Sequence, residues 1–96
     1  MAGKYFDWND AKSLQLKARY GISFEEIYAA LEEGELLDKI PHPNQRRYPK
    51  QQIFIVKVGS YAFLVPFVED EEKIFLKTLY PSRKFTKKYL TKGGKS

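Results

Sequence analysis

The sequence of 96 residues contains no cysteine and a single histidine. Without thiols the chain can form no disulfide, no thiolate metal site and no cysteine nucleophile, which fits a reducing compartment such as the cytoplasm. One imidazole cannot hold a metal ion alone, and the acidic residues do not show the spacing of metal ligands. We therefore expect neither a metal nor another cofactor.

Long apolar runs and glycine-rich loops are also missing. The first residues, MAGKYFDWND, lack the apolar core of a signal peptide, and no stretch approaches the ~18 apolar residues of a membrane span. The sequence has no glycine-rich phosphate loop, no G-x-S-x-G and no H-E-x-x-H motif. These absences predict a soluble, cytoplasmic protein without a membrane partner, and they exclude the motif-bearing nucleotide-binding, serine hydrolase and zinc protease classes.

Negative charge is missing from the end of the chain. Through Lys50 eight acidic and eight basic residues balance, whereas nine basic and four acidic residues follow. The four acidic residues form the EDEE segment at 69–72, and none follows Glu72. Phosphates and acidic protein surfaces both favour a one-sided positive field, so this end predicts a polyanionic or acidic partner.

The residues that are present predict two helices in the first third of what is expected to be a single domain, residues 1–96. Asn9 is a plausible N-cap of the first helix, and Gly21 is a stop signal. Ser23 and Glu26 form the S-x-x-E capping box of the second helix, which ends at Gly34. The short connection between the helices predicts that they pack as an angled pair.

After residue 50 the apolar pattern changes to that of strands. Three apolar runs over residues 51–80 are separated by a Gly59-Ser60 hairpin turn and by the EDEE segment. The middle run, YAFLVPFV, is apolar at both odd and even positions, which is typical of a strand covered on both faces. Pro66 within it predicts a bulge or strand end. The third run predicts one strand through Tyr80 whose alternate residues share a face: Lys73, Phe75, Lys77 and Leu79.

Weaker patterns complete the predicted fold. KYFDW indicates a short first strand, residues 36–40 a further strand, and PHPNQRRYP a loop. Pro81 or Ser82 begins a last helical turn whose Phe85 and Tyr89 pack on the sheet, and residues 91–96 form a frayed tail. The fold class is α+β: a short N-terminal strand, two packed helices, a three- to four-stranded antiparallel sheet and a short basic C-terminal helix, with all the helices on one face of the sheet.

Basic side chains are the candidates for chemistry. Residues 77–90, KTLYPSRKFTKKYL, contain five basic residues and no acid. RNA cleavage by its own 2′-OH needs a base, an acid and cations that stabilise a dianionic phosphorane, which lysine and arginine can supply. Arg46 and Arg47 either bind phosphate or form a solvated loop. His42 is either a surface loop residue or a general acid or base.

The segments FDWNDAK, KARYGISFEE and SRKFTKKYL follow one another in this order over roughly residues 5–90. In this the chain resembles the BrnT-type toxins of bacterial type II toxin–antitoxin systems, whose fold is similar to RelE-like ribonucleases. The resemblance implies a cytoplasmic, metal-independent endoribonuclease that inhibits translation by cleaving mRNA, on the ribosome or free of it. It also implies a cognate antitoxin from the adjacent gene, a ribbon-helix-helix or similar DNA-binding protein.

The resemblance assigns catalytic residues to two segments. Lys17, Arg19 and Tyr20 match the family motif between the helices, and Lys77, Tyr80 and Arg83 lie around the end of the last strand. Tyr20 stands where family members commonly carry histidine, so a tyrosine there can act only as an acid or with a lowered pKa. The residues expected to bind RNA are Arg46, Arg47, Ser82, Lys84, Lys87 and Lys88.

Two other interpretations remain open at this stage. The missing histidine and the lack of a sharp acid–base pair favour a noncatalytic nucleic-acid or protein-binding module of the same fold. A third interpretation is a toxin relic whose basic end only binds an acidic segment of the antitoxin. RNA cleavage, RNA binding without cleavage, and normal growth on expression distinguish the three.

Overall fold

The computed structural model describes residues 3–91 of the chain. Strands and helices follow one another in the α+β order predicted from the sequence. Their bounds are β1 (Tyr5–Asp7), α1 (Asp10–Tyr20), α2 (Phe24–Glu32), β2 (Leu36–Pro41), β3 (Gln51–Val58), β4 (Tyr61–Glu69), β5 (Lys73–Leu76), β6 (Tyr80–Pro81), α3 (Arg83–Thr86) and a π-helix (Lys87–Thr91). We call α3 and the π-helix together the C-terminal helix. Of the predicted frayed tail, all but Thr91 lies outside the described residues.

The helix boundaries follow from local chemistry that the sequence already contained. The side chain of Asn9 accepts the N–H of Lys12 at 2.9 Å, and Gly21 ends α1 with φ of 80°. In α2 the Ser23 hydroxyl accepts the N–H of Glu26 while the Glu26 carboxylate accepts the N–H of Ser23. The predicted caps and the capping box are therefore confirmed.

Gly34 closes α2 through a Schellman motif. Its φ is 83°, and its N–H donates to the Leu31 carbonyl at 3.1 Å. The next N–H, of Glu35, donates to the Ala30 carbonyl at 3.0 Å. A side chain at this left-handed position would be strained, so glycine here is what allows the chain to leave the helix and enter β2.

The strands form one sheet in the order β1-β5-β4-β3-β2. Strands β2 to β5 are antiparallel neighbours, as predicted, while β1 adds to the edge in parallel with β5. Gly59, with φ of 64°, turns β3 into β4. Because β1 joins the far edge, the two helices cross over the sheet before the chain enters β2 at the opposite edge.

The predicted single strand through Tyr80 is wrong. β5 ends at Leu76, residues 77–79 leave the ladder, and β6 pairs with the beginning of β4. Leu79 is consequently buried beside Leu76 and does not share a face with Phe75. The break lies opposite Pro66, whose carbonyl accepts the Lys77 N–H at 2.8 Å.

Proline explains this break. In a strand the N–H and C=O of one residue point to the same neighbour, so Pro66 offers β5 and β6 an acceptor but no donor. β4 itself continues through Pro66 to Glu69. The irregularity predicted at Pro66 therefore falls on the neighbouring strand and does not interrupt β4.

Each face of the sheet carries its own core. On the first face α1 and α2 cover a cluster that includes Leu16, Phe24, Ile27, Phe54, Val56, Phe63, Val65, Phe67, Leu76 and Leu79. On the second face the C-terminal helix covers Ile53, Ile55, Ala62 and Leu64 with its Phe85, Tyr89 and Leu90. The packing of Phe85 and Tyr89 on the sheet is confirmed, as is the coverage of the central strand on both faces. The expectation that all helices share one face is wrong.

Within residues 3–91 no helix is long and apolar enough to cross a membrane. The same residues contain no group of three or more His, Cys, Asp or Glu side chains that could hold a metal ion.

Candidate functional site

The C-terminal helix is attached to β4 by the hydroxyl group of Thr86, which is not among the predicted site residues. Thr86 is buried, and its Oγ1 accepts the Ala62 N–H at 2.8 Å and donates to the Ser82 carbonyl at 2.7 Å. The Ser82 N–H donates to the Ala62 carbonyl at 3.0 Å. One hydroxyl thus joins strand and helix, and a threonine one helical turn after a serine N-cap was the available signal.

Ser82 begins this helix. Its Oγ accepts the Phe85 N–H at 3.1 Å, which makes it the N-cap. As a predicted RNA-binding residue Ser82 therefore lies at the start of the basic segment, with its hydroxyl oxygen already engaged in capping.

The far end of the C-terminal helix is tied to β2. The Tyr89 hydroxyl donates to Asp38 Oδ2 at 2.6 Å. This hydrogen bond is the main reason why the pKa of Asp38 lies below its ordinary value, and the nearby Lys88 charge adds to the effect. The helix is consequently fixed at both ends, across β4, β3 and β2.

Four predicted RNA-binding or catalytic side chains lie exposed on the outer side of this helix. They form the basic face: Arg83, Lys84, Lys87 and Lys88. The ammonium groups of Lys84 and Lys88 lie 5.6 and 5.4 Å from the ring centroids of Phe85 and Tyr89, respectively. Aromatic residues face inward and cations face outward, so the helix presents positive charge to solvent.

Lys77 is the first residue of the strand break, and Tyr80 is the first residue of β6 after it. Lys77 is exposed, with its ammonium group 5.9 Å from the Phe75 ring centroid. Tyr80 keeps 36% of its surface exposed, yet desolvation raises the pKa of its phenol above the ordinary value of 10.0. The phenol therefore keeps its proton at neutral pH and can act as an acid or a hydrogen-bond donor but not as a base.

The predicted catalytic residues of α1 have structural contacts of their own. The Lys17 ammonium group lies 2.8 Å from Glu26 Oε2 and 3.2 Å from the Gly21 carbonyl. Arg19 lies 5.2 Å above the ring of Tyr20, which is half-buried against the first core. Lys17 therefore closes the junction of the two helices and is the main reason for the lowered pKa of Glu26.

The two predicted catalytic groups reach the same end of the sheet on different faces. Ile22, next to the α1 segment, lines a groove with Val58 and Gly59 at the β3–β4 turn. Tyr80 pairs with Leu64, near the beginning of β4 after that turn. However, within residues 3–91 no hydrogen bond or ion pair joins Lys17, Arg19 or Tyr20 to Lys77, Tyr80 or Arg83.

Arg46 and Arg47 lie exposed in the loop between β2 and β3. The Arg47 N–H donates to Asn44 Oδ1 at 3.1 Å, and its guanidinium carbon lies 5.7 Å from the Tyr48 ring centroid. The ring of His42 lies 4.5 Å from the same tyrosine ring. The loop is therefore an ordered basic and aromatic element at the end of the sheet opposite the β3–β4 turn.

A groove of about 650 Å³ lies between β1 and α2, on the first face. Aromatic side chains line most of it: Tyr5, Phe6, Trp8, Tyr28 and Phe54. None of the predicted catalytic or RNA-binding residues borders this groove. Lys77, Tyr80 and Arg83 lie on exposed surface, whereas Lys17 borders a second groove of about 660 Å³ at the junction of α1 and α2.

Comparison with known proteins adds no further constraint. The chain matches no protein-family model, no curated protein and no solved structure.

Proposed function

We propose that this protein is the toxin of a type II toxin–antitoxin pair, a cytoplasmic ribonuclease that cleaves mRNA without a metal ion and is neutralised by a cognate antitoxin. The observation that carries the proposal is the basic face. Its cations lie exposed on a helix that is fixed at both ends, and no acidic residue follows Glu72 in the sequence. Such a surface favours a polyanion.

Lys77, Tyr80 and Arg83 are the residues to which we assign the chemistry. Arg83 and Lys77 supply positive charge for a dianionic phosphorane, and arginine can bind two phosphate oxygens at once. Tyr80 supplies a proton, since desolvation raises the pKa of its phenol above 10.0 and the phenol is protonated at neutral pH. The basic face holds the RNA strand. The antitoxin, a DNA-binding protein with an acidic segment, would cover the same charges and exclude RNA.

A second candidate function is a noncatalytic RNA-binding module. The observation that favours it is the separation of Lys17, Arg19 and Tyr20 from the other assigned residues, since no acid–base pair is assembled in residues 3–91. The single imidazole lies in the β2–β3 loop, away from both groups. This candidate predicts salt-sensitive RNA binding without product formation.

Expression of the protein alone, with growth and translation as readouts, separates the two candidates. The ribonuclease predicts growth arrest that co-expression of the adjacent antitoxin gene relieves. Arg83→Ala should abolish the arrest, whereas Lys12→Ala, which removes one half-buried charge from α1, should retain it. Normal growth with the unmodified chain would contradict the toxin assignment, and arrest that persists in Arg83→Ala would remove the assigned role of Arg83.

A further inference from the structure

Part of the second face is not covered by the C-terminal helix. Phe75 of β5 pairs with Val68 of β4, which pairs with Gln51 of β3. The His42 N–H donates to the Gln51 carbonyl at 3.1 Å, which extends the β2–β3 register by one residue. These four residues therefore form a straight row across the sheet, about 14 Å from the first to the last strand. We call it the transverse row.

The side chains of the transverse row point to the second face. Gln51 lies two residues before the buried Ile53 of the second core, and Phe75 directly precedes Leu76, which belongs to the first core. All four residues of the row are half-buried, and none belongs to either core cluster. The row thus forms an open shelf beside the residues that the C-terminal helix covers.

A phenylalanine between two cations occupies one end of the shelf. The ammonium groups of Lys73 and Lys77 lie 5.7 and 5.9 Å from the centroid of the Phe75 ring. Lys73 also binds Asp7 at 3.1 Å, whereas Lys77 has no carboxylate partner within residues 3–91. One of the two charges is therefore available for a ligand phosphate.

A tilted cluster of planar groups occupies the other end, with the His42 and Tyr48 rings at 41° to each other. The His42 ring lies 4.5 Å from the Tyr48 ring, and the Arg47 guanidinium carbon lies 5.7 Å from the same ring. His42 Nδ1 accepts the Asn44 N–H at 3.0 Å, which fixes the imidazole orientation and leaves the ring proton on Nε2. An ordered imidazole, phenol and guanidinium thus lie together at the edge of the open shelf.

We infer that the transverse row is a binding site for single-stranded RNA, with one base stacked on Phe75 in place of the Lys77 ammonium group and another on the His42–Tyr48 pair. Lys77 and Arg47 contact the phosphates of the same strand. Unpaired bases stack on aromatic rings and guanidinium planes, whereas bases in a duplex are not accessible in this way. The inference rests on the proposed function, because it assigns a strand type and a path to the RNA.

The alternative occupant of a basic surface is an acidic peptide. The carboxylates of an acidic peptide bind to cations and do not stack on the planar groups at the two ends of the row. Val68 and Gln51 between these ends are half-buried and carry no charge that would repel a base. The side chains therefore favour RNA, and an acidic peptide becomes one of the outcomes of the test.

Fluorescence anisotropy measures the binding of a labelled 2′-O-methyl oligonucleotide, which cannot be cleaved because its 2′-hydroxyl groups are blocked. A length of about 12 nucleotides lies within the range of single-strand site sizes. Phe75→Leu keeps an apolar side chain but removes the ring, and Tyr48→Leu does the same at the other end. We expect each to weaken single-strand binding by about 5- to 150-fold, the equivalent of one lost base stack. Binding of a duplex with the same sequence and the salt dependence should not change, because no charge is lost. Phe75→Tyr should bind as the unmodified chain does.

Melting curves of each variant establish that the fold is retained. If the unmodified chain binds no RNA, the proposed function and this inference both fail. If Arg83→Ala weakens binding while Phe75→Leu and Tyr48→Leu do not, the proposed function stands and the transverse row is refuted.

Equal losses in Phe75→Leu and Phe75→Tyr, or equal losses for duplex and single strand, also overturn the inference. If Phe75→Leu weakens RNA binding but leaves polyglutamate binding unchanged, the inference is supported. If Phe75→Leu also loses polyglutamate binding, the row binds an acidic peptide instead.

Discussion

At the scale of single residues, the Thr86 hydroxyl decides how the C-terminal helix is attached. Thr86→Val keeps the shape of the side chain but leaves the buried Ala62 N–H without a partner. We expect a loss of about 1–3 kcal/mol in the free energy of unfolding, measured by urea denaturation. Thr86→Ser keeps the hydroxyl and should lose less. Equal stability of the valine and serine variants would show that the hydrogen bonds contribute nothing.

Tyr80 is the second residue whose role can be tested alone. Because burial raises the pKa of its phenol above 10.0, the protonated form is present below that raised value and is lost only as the pH rises through it. If Tyr80 donates a proton, Tyr80→Phe lowers the cleavage rate by about 10²- to 10⁴-fold, and by the same factor throughout the neutral range. A pH–rate profile of both proteins checks this. A rate that rises with pH near neutrality only in the unmodified chain would identify Tyr80 as a base instead.

At the scale of secondary-structure elements, the sequence predicted what local chemistry determines. Asn9, the Ser23 capping box and the Gly59 turn each depend on neighbours within a few residues, and all three occur as expected. The broken third strand depends on Pro66, which lies on another strand, so the alternation of that run alone could not reveal it.

The face of the sheet on which each element packs could not be predicted from the sequence either. The position of the C-terminal helix on the second face depends on the buried Thr86 hydroxyl and on the Tyr89–Asp38 hydrogen bond, which joins residues 51 positions apart. The transverse row depends on the register of three strand pairs. Candidate site residues could therefore be named from their types and order, but the face that each one occupies could not.

The hydrogen bond between Tyr89 and Asp38 makes the attachment of the C-terminal helix depend on pH. The pKa of Asp38 is lowered, so its contribution to stability is present above its ordinary value of 3.8 and is lost as the pH falls through the lowered value. The pKa of Tyr89 is raised above 10.0, so that contribution is lost as the pH rises through the raised value. Tyr89→Phe should therefore lower the melting temperature between these limits and have no effect in stronger acid. A difference that persists unchanged when Asp38 is protonated would refute this account.

At the scale of the whole molecule, apolar groups and cations are separated. Both faces of the sheet carry cores, and the basic face lies outside the second core. For single strands each phosphate contact contributes about 0.7 to the slope of log affinity against log salt. Lys84→Ala should therefore reduce that slope by about 0.7, while Lys12→Ala on α1 should leave it unchanged. Equal effects of the two substitutions would show that the basic face is not the RNA surface.

Incubation of end-labelled RNA with the purified chain in the presence of EDTA tests whether the protein is a metal-independent ribonuclease. Discrete products should form despite the chelator, and Arg83→Ala should form none. RNA with 2′-deoxy nucleotides at the cleaved positions should stay intact because the attacking hydroxyl is missing. Intact RNA after incubation with a chain that binds it would contradict the ribonuclease and leave the noncatalytic binding module in its place.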